Sequence, residues 1–242
     1  MKELYLTFQP EGGTLGLPLA RNSILQGVFY RLLSAEPEFG SAVHDFDTET
    51  GHSYKLFCFS DILGTPKVRD RSIFWNGPCG WFLRAVDDRL IACVTEALSR
   101  EPVLHFAGNA CRVTSMELRS RIFFGGSLRF RMNTPIAVYR TAEDGSRCGY
   151  LPDTPDFSAL VINNLRRKYA AVTGEEPEGE ITFSVLSFRE RDIRRVFYRN
   201  QLITACCGDY ELRAPRELLD IAYYCGLGSK NALGLGTVGE LL

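Results

Sequence analysis

No run of about 18 consecutive apolar residues occurs anywhere in this chain, so no segment reads as a membrane-spanning helix. The first ten residues, MKELYLTFQP, alternate polar and apolar side chains and hold no apolar signal core, which points away from secretion. Histidine is scarce: there are three, His44, His52 and His105. The eight cysteines (Cys58, Cys79, Cys93, Cys111, Cys148, Cys206, Cys207 and Cys225) form no Cys-x-x-Cys pair. With no cluster at ligand spacing, neither a zinc site nor any other metal site is expected. The cysteines fall mostly inside apolar runs, as reduced core thiols of a cytosolic protein do. There is no large excess of positive charge either. The formal net charge is −1, which argues against a general, charge-driven nucleic-acid binder.

What charge there is lies unevenly. From Arg112 to Arg140 the basic residues are Arg112, Arg119, Arg121, Arg129, Arg131 and Arg140, against Glu117 as the sole acid. A second group, Arg189, Arg191, Arg194, Arg195 and Arg199, is diluted by Glu190 and Asp192. Arginine dominates both, and its planar fork suits phosphates and stacked bases better than the point charge of lysine. A solvated, internally paired surface remains the other reading.

At 242 residues the chain has room for one large domain or two small ones. Leu4, Leu6 and Phe8 alternate with polar neighbours, the pattern of a strand with one buried face. Asn22 or Ser23 then caps a helix to about residue 35, with Ile24, Leu25, Val28, Phe29 and Leu32 as its apolar stripe. Asn22, Gln26 and Tyr30 fall at four-residue steps on another face. Residues 36–44 suggest a helical turn and 45–54 a polar loop. Leu56–Leu63 and Ile73–Val86 read as paired strands, broken by a Gly-Pro-rich stretch at Asn76–Gly80. Asp87 or Asp88 caps a second helix containing Leu90, Ile91, Val94, Ala97 and Leu98, and Val103–Leu118 is extended again.

The theme repeats beyond Arg119–Gly126. Leu128, Phe130 and Met132 alternate with Arg129 and Arg131, a strand with a basic outer face. Thr134-Pro135 interrupts it and Ile136–Tyr139 resumes. Phe157–Val172 is helical, Ile181–Phe188 alternates, and Val196–Arg213 suggests a hairpin turning at Gly208-Asp209. A helix after Pro215 and a last strand through Val238 complete the chain. The α+β reading is two tandem ferredoxin-like (RRM-like) βαββαβ domains, residues 1–120 and 121–242, the second carrying a C-terminal glycine-rich loop.

That loop is GLGSKNALGLG, Gly226–Gly236. Gly226, Gly228, Gly234 and Gly236 let it turn sharply and bring bare backbone N–H groups near a flat or anionic partner. Lys230 and Asn231 between them offer a charge and an amide for phosphate or base contact. A purely structural turn fits the same glycines. It is not a Walker loop, since no Gly-Lys-Ser/Thr stands at the required distance, and no cofactor is expected.

GLGSKNALGLG near a C-terminus resembles the signature loop of the CRISPR-associated repeat-RNA endoribonucleases, the repeat-processing (Cas-six) branch of the repeat-associated RNA-binding superfamily. The resemblance extends to LQGVFYRLL, EFGSAVH, YKLFCFSDILG and the break at Thr134-Pro135-Ile136. It implies Tyr30, His44 and Lys55 as catalytic residues. The segment between His44 and Lys55 is long for the family and holds a second histidine, His52, which competes for the catalytic place. The activity implied is metal-independent cleavage of CRISPR repeat RNA, by 2′-hydroxyl attack, leaving 2′,3′-cyclic phosphate and 5′-hydroxyl ends. The side chains suit that chemistry, because histidine titrates near neutrality and a lysine neutralises charge developing on phosphorus. The resemblance also implies a cytoplasmic prokaryotic protein, with other CRISPR effector subunits and a second copy of the chain as further partners. A non-catalytic RNA-binding subunit of an effector complex is the competing expectation.

Overall fold

The computed structural model describes residues 1–34, 55–124, 126–141, 147–198 and 201–242. The expected turn at 36–44, the loop at 45–54, His44, His52 and Arg199 lie outside the described residues. In chain order the N-terminal half runs β1 (Lys2–Pro10), β2 (Thr14–Pro18), α1 (Asn22–Ser34), β3 (Phe57–Phe59), β4 (Pro66–Arg69), β5 (Ser72–Asn76), β6 (Cys79–Ala85), α2 (Asp88–Arg100), β7 (Val103–Phe106) and β8 (Asn109–Arg119). The C-terminal half runs β9 (Ser127–Met132), β10 (Val138–Thr141), β11 (Arg147–Tyr150), α3 (Asp156–Thr173), β12 (Thr182–Ser187), β13 (Ile193–Tyr198), β14 (Gln201–Cys206), β15 (Asp209–Arg213), α4 (Arg216–Cys225) and β16 (Val238–Leu241).

The main sheets have strand orders β3-β6-β1-β8-β7 and β12-β15-β9-β16, with every pairing antiparallel. Leaving out the edge strand β7, each order is second, third, first, fourth within its half. That is the ferredoxin-like arrangement, made twice. Alternation drives both sheets. Leu4, Leu6 and Phe8 are fully buried against Leu25, Val28, Phe29 and Leu33 of α1 and Leu90, Ile91, Val94 and Leu98 of α2. Asp87 caps α2 by accepting from the Arg89 N–H at 2.9 Å. α3 ends where Gly174 adopts a left-handed φ of 77°.

Four details depart from the periodicity reading. Ile73–Val86, broken at Asn76–Gly80 as expected, is divided there between two sheets: β5 joins β2 and β4 in a separate three-stranded sheet, and only β6 enters the main one. Val103–Leu118 is a hairpin, because Ala107 and Gly108 both take positive φ, as a two-residue turn requires. The hairpin expected from Val196 to Arg213 is instead β13 with β14, and β15 leaves it to pair with β9 and β12. The last strand begins at Val238 instead of ending there. Alternation marks extended chain but neither where it turns or stops nor which strand it pairs with.

α4 is buried from Leu218 to Cys225 save for the partly exposed Asp220, as a helix placed between two layers must be. One side packs with β9 and β15 of its own half. On another, Arg84 of β6 and Glu3 of β1 form an ion pair at 2.6 Å with side chains 4% and 7% exposed. The Arg84 guanidinium lies 3.6 Å from the Tyr223 ring centroid and donates to the Val238 carbonyl at 2.6 Å. The Tyr223 hydroxyl donates to Glu3 at 3.3 Å. Charge, ring and backbone from both halves therefore meet at one guanidinium. Arg84→Ala leaves Glu3 with the Tyr223 hydroxyl and, as a cation, the more distant Arg119 at 3.7 Å. A stability loss of about 3–5 kcal/mol is expected in denaturant unfolding, and a smaller loss in the double variant Glu3→Gln/Arg84→Met. Equal losses in the two would show that the pair is not coupled.

Candidate active site and nucleic-acid interface

Tyr30 lies near the C-terminal end of α1, half-buried, with its ring edge-on to Phe29 and Phe57 at centroid distances of 6.0 and 6.4 Å. Lys55 stands two residues before β3, which fixes its backbone at the edge of the N-terminal sheet. Its ammonium donates to the Tyr30 hydroxyl at 2.5 Å and lies 4.9 Å from the ring centroid. The tyrosine and lysine named from sequence are thus in direct contact.

The same polar stripe of α1 holds the glycine loop. The Asn22 amide donates to the Leu233 carbonyl at 3.0 Å, and the Gln26 amide donates to the Ala232 carbonyl at 2.8 Å. Gln26 in turn accepts from the Tyr198 hydroxyl of β13 at 3.1 Å. Within the loop, Leu227 N–H donates to the Gly236 carbonyl, Gly236 N–H to Pro135 and Ser229 N–H to Ala137, all at 2.8 Å. Gly226, Gly228, Gly234 and Gly236 all have φ between 65° and 77°. A Cβ on Gly228 would stand 2.6 Å from the Ala137 carbonyl oxygen. One on Gly236 would strike the Leu227 carbonyl, and one on Gly234 the Phe59 ring of the N-terminal half. These glycines are needed for close approach as well as for conformation.

Asn231, expected as an RNA contact, lines the cleft but is turned into the loop. It is 5% exposed, and its amide is spent inside the loop, donating to Leu227 and Leu235 at 3.0 and 2.8 Å and accepting from Lys168 at 2.6 Å. Lys230 takes a left-handed conformation (φ 65°) that presents it at the loop's surface.

Between the halves lies a cleft of about 950 Å³ that brings Lys55 and the glycine loop to one place. Its lining includes Lys55, Lys230, Ser229, Arg140, Arg167 and Asn163, and no acidic side chain among the described residues. Arg129 and Arg131 are not brought to it. Their side chains point outward from β9, but β15 lays acids beside them. Arg129 donates to Glu211 at 2.8 Å and Arg131 to Asp209 at 2.7 Å. Hydrogen bonds from Arg129 and Arg213 hold the Glu211 carboxyl down at about 2. The basic strand face is therefore a paired face, a consequence of which strand became its neighbour. The sequence patterns do not mark Arg167 and Lys168 of α3 as site residues. A lysine in step with Val161 and Leu165 on an apolar stripe was the available signal for the second. Among the described residues no group of three His, Cys, Asp or Glu side chains is placed to hold a metal ion.

Alanine at Gly228 or Gly236 is expected to cost at least the ~1–2 kcal/mol of a left-handed non-glycine residue, plus the collision with a carbonyl. Thermal unfolding reads this directly, with Gly12→Ala, where nothing lies within 4 Å, as comparator. Equal melting temperatures for all three would show that the loop tolerates side chains.

Known proteins bear on this arrangement. The family model for the C-terminal part of the CRISPR-associated protein Cas6 matches residues 118–239, half of the chain. The CRISPR-associated endoribonuclease Cas6 1 of Methanocaldococcus jannaschii is 33% identical over 232 residues, covering 89% of this chain and 83% of that protein. A solved structure described as CRISPR associated protein Cas6 superposes with a TM-score of 0.79 over 98% of both chains at 22% identity. Another, described as a RAMP protein binding different RNA substrates, reaches a TM-score of 0.84 over 100% of both at 19% identity. At such identities the two structures speak for the fold, and both carry this one. The family model and the Methanocaldococcus relative go further than fold: this chain belongs to the Cas6 family of CRISPR-associated endoribonucleases.

Proposed function

We propose that this chain cleaves CRISPR repeat RNA in precursor transcripts to release mature guide RNAs, without a divalent metal. The observation that carries the reading is the shared cleft. Lys55, whose ammonium is held on the Tyr30 hydroxyl, and the glycine loop form its walls, with cations on both sides and no acid among the described lining residues. Residues 1–120 and 121–242 are the two domains in this reading, and the RNA runs between them.

In the reaction the 2′-hydroxyl loses its proton and its oxygen attacks the adjacent phosphorus in line. The bond to the 5′-oxygen breaks as that oxygen takes up a proton, leaving a 2′,3′-cyclic phosphate and a 5′-hydroxyl. The protein supplies position, proton transfer and charge. Lys55 neutralises the dianionic phosphorane as it forms. A phenol that accepts from an ammonium becomes a stronger donor through its own O–H, and Tyr30 uses that donor to orient the phosphate. His44 is the proposed general acid or base, with His52 as its competitor. Their segment is joined to α1 on one side and to Lys55 on the other. Other CRISPR effector subunits and a second copy of the chain are proposed partners on family membership alone.

Single-turnover cleavage of labelled repeat RNA in EDTA tests the reading. Activity that vanishes in EDTA and returns with magnesium or manganese refutes the metal-free mechanism. His44→Ala is expected to slow the chemical step by about a hundredfold to ten-thousandfold with little change in RNA affinity. Lys55→Ala lowers both, because its charge attracts the phosphate before as well as during reaction, and Tyr30→Phe has the mildest effect. Loss of cleavage in His52→Ala, with His44→Ala active, assigns the role to His52. A wild-type chain that binds repeat RNA tightly and never cuts it is a non-catalytic RNA-binding subunit.

Backbone contacts release counterions, so Arg167→Ala and Lys230→Ala should each flatten the log-affinity against log-salt slope by about one unit. Arg129→Ala and Arg131→Ala, whose guanidinium groups already have carboxylate partners, should leave the slope unchanged. The reverse pattern would move the RNA path from the cleft to the β9 face.

A further inference from the structure

α3 carries a cation on its buried face. Val161, Leu165 and Lys168 share one helical stripe; the first two sit in the C-terminal core, and Lys168 is 2% exposed. Its ammonium donates to the Gly226 carbonyl at 2.8 Å, to the Gly228 carbonyl at 3.0 Å and to the Asn231 side-chain oxygen at 2.6 Å. Those acceptors use all three N–H bonds of the group. None of them is a carboxylate. A buried cation held only by neutral dipoles is costly, and an apolar side chain would fill the same space more cheaply.

The loop explains why a cation stands there. Gly226 closes α4, so its carbonyl lies at the negative end of the helix dipole. The Gly228 carbonyl and the Asn231 oxygen converge on the same point. Three partial negative charges aimed at one place repel one another unless a positive charge sits between them. Lys168 fills that place from α3, much as a bound cation would. With the oxygen of Asn231 fixed, its NH₂ is aimed at Leu227 and Leu235, which brings the two Gly-Leu-Gly arms together.

We propose that Lys168 is a positioning residue whose buried ammonium sets the shape of the glycine loop, so that loss of its charge loosens the loop and weakens RNA binding. The RNA clause rests on the reading of the cleft given above.

Burial pushes the Lys168 ammonium down to about 8 from the ordinary 10.5. The titratable groups acting on it from the packed elements are Cys225 of α4 and Cys58 of β3. Burial pushes those thiols up, to about 12 and about 11, so they stay neutral through this range. Arg84 and Glu3 lie beyond Cys58 and pair with each other. The sign follows from the depressed value. The charged clamp is present below about pH 8 and is lost as pH rises through it. The unfolded chain keeps the proton up to 10.5, so between the two values folding releases it, and overall stability from this group rises with pH. Loop order and global stability therefore move in opposite directions.

The test is amide hydrogen exchange at Ser229 and Gly236, whose N–H groups close the loop onto Ala137 and Pro135. In the wild type, protection at both is expected to fall about tenfold from about pH 7 to about pH 9, while α2 amides hold. Lys168→Met should already be loose at the lower pH and flat across the range. Its half-saturating concentration of repeat RNA in single-turnover cleavage should rise about tenfold, with the maximal rate within about twofold. Protection in Lys168→Met equal to wild type overturns the proposal, and so does a pH-independent wild-type loop. The wild-type pH series decides alone if the variant does not fold. A loosened loop with unchanged repeat-RNA affinity supports the clamp and tells instead against RNA on this loop, which keeps the two failures distinct.

Discussion

Four glycines with left-handed φ, packed where a Cβ would meet a carbonyl or a ring, are the constraint on which the rest of the molecule depends. The loop they form belongs to the C-terminal half but is seated on the N-terminal one. Asn22 and Gln26 of α1 take its carbonyls, Phe59 of β3 lies against Gly234, and the Thr237 hydroxyl donates to the Phe59 carbonyl at 2.7 Å. Such approach is possible only for bare backbone. A loop with side chains at these places would stand further off, and the cleft beside it would have a different wall.

The second tie between the halves is α4 and the Glu3–Arg84 pair. An antiparallel sheet can leave one face to water. Here the free face of the N-terminal sheet is instead taken by Tyr223, Tyr224 and Cys225. Polar groups buried in that layer are matched one by one: guanidinium with carboxylate, ring and carbonyl, and phenol with carboxylate. Matching of this kind favours one relative placement of two bodies over its neighbours, because any slip leaves a charge unpaired in a low dielectric. The cleft inherits that precision. Lys55 from one half and Lys230, Arg140 and Arg167 from the other line it together, and a reaction run by positioning, as proposed for this cleft, needs walls that hold their places.

Electrostatics is local in this protein. The chain has nearly balanced charge, yet the described lining of the cleft carries cations and no acid, though Arg140 reaches Asp156 outside that lining at 3.3 Å, while Arg129 and Arg131 of β9 are matched by carboxylates on the next strand. A polyanion is drawn to the first kind of surface and gains little from the second, since each paired arginine must first give up its partner. Counting arginines along the chain therefore says less about an RNA path than asking which of them stand opposite an acid.

Much of this was legible before any coordinates. Alternation at Leu4–Phe8 and Leu128–Met132 marks the central strands, because one face of each must be buried whatever its neighbours are. The four-residue step of Asn22, Gln26 and Tyr30 marks a second, polar contact face on α1, and the glycine spacing marks a loop that must run close to something. These features are local, so sequence alone determines them. Partnership is not local. That β5 leaves the main sheet, that β15 sets Asp209 and Glu211 beside the arginines of β9, and that Asn231 turns inward were decided by strand pairing and packing between residues far apart in the chain. Lys168 shows the division most plainly. Its position on an apolar stripe is written in the sequence, but the three oxygens that make a buried charge tolerable come from a loop about 60 residues away, and only the fold brings them to one point.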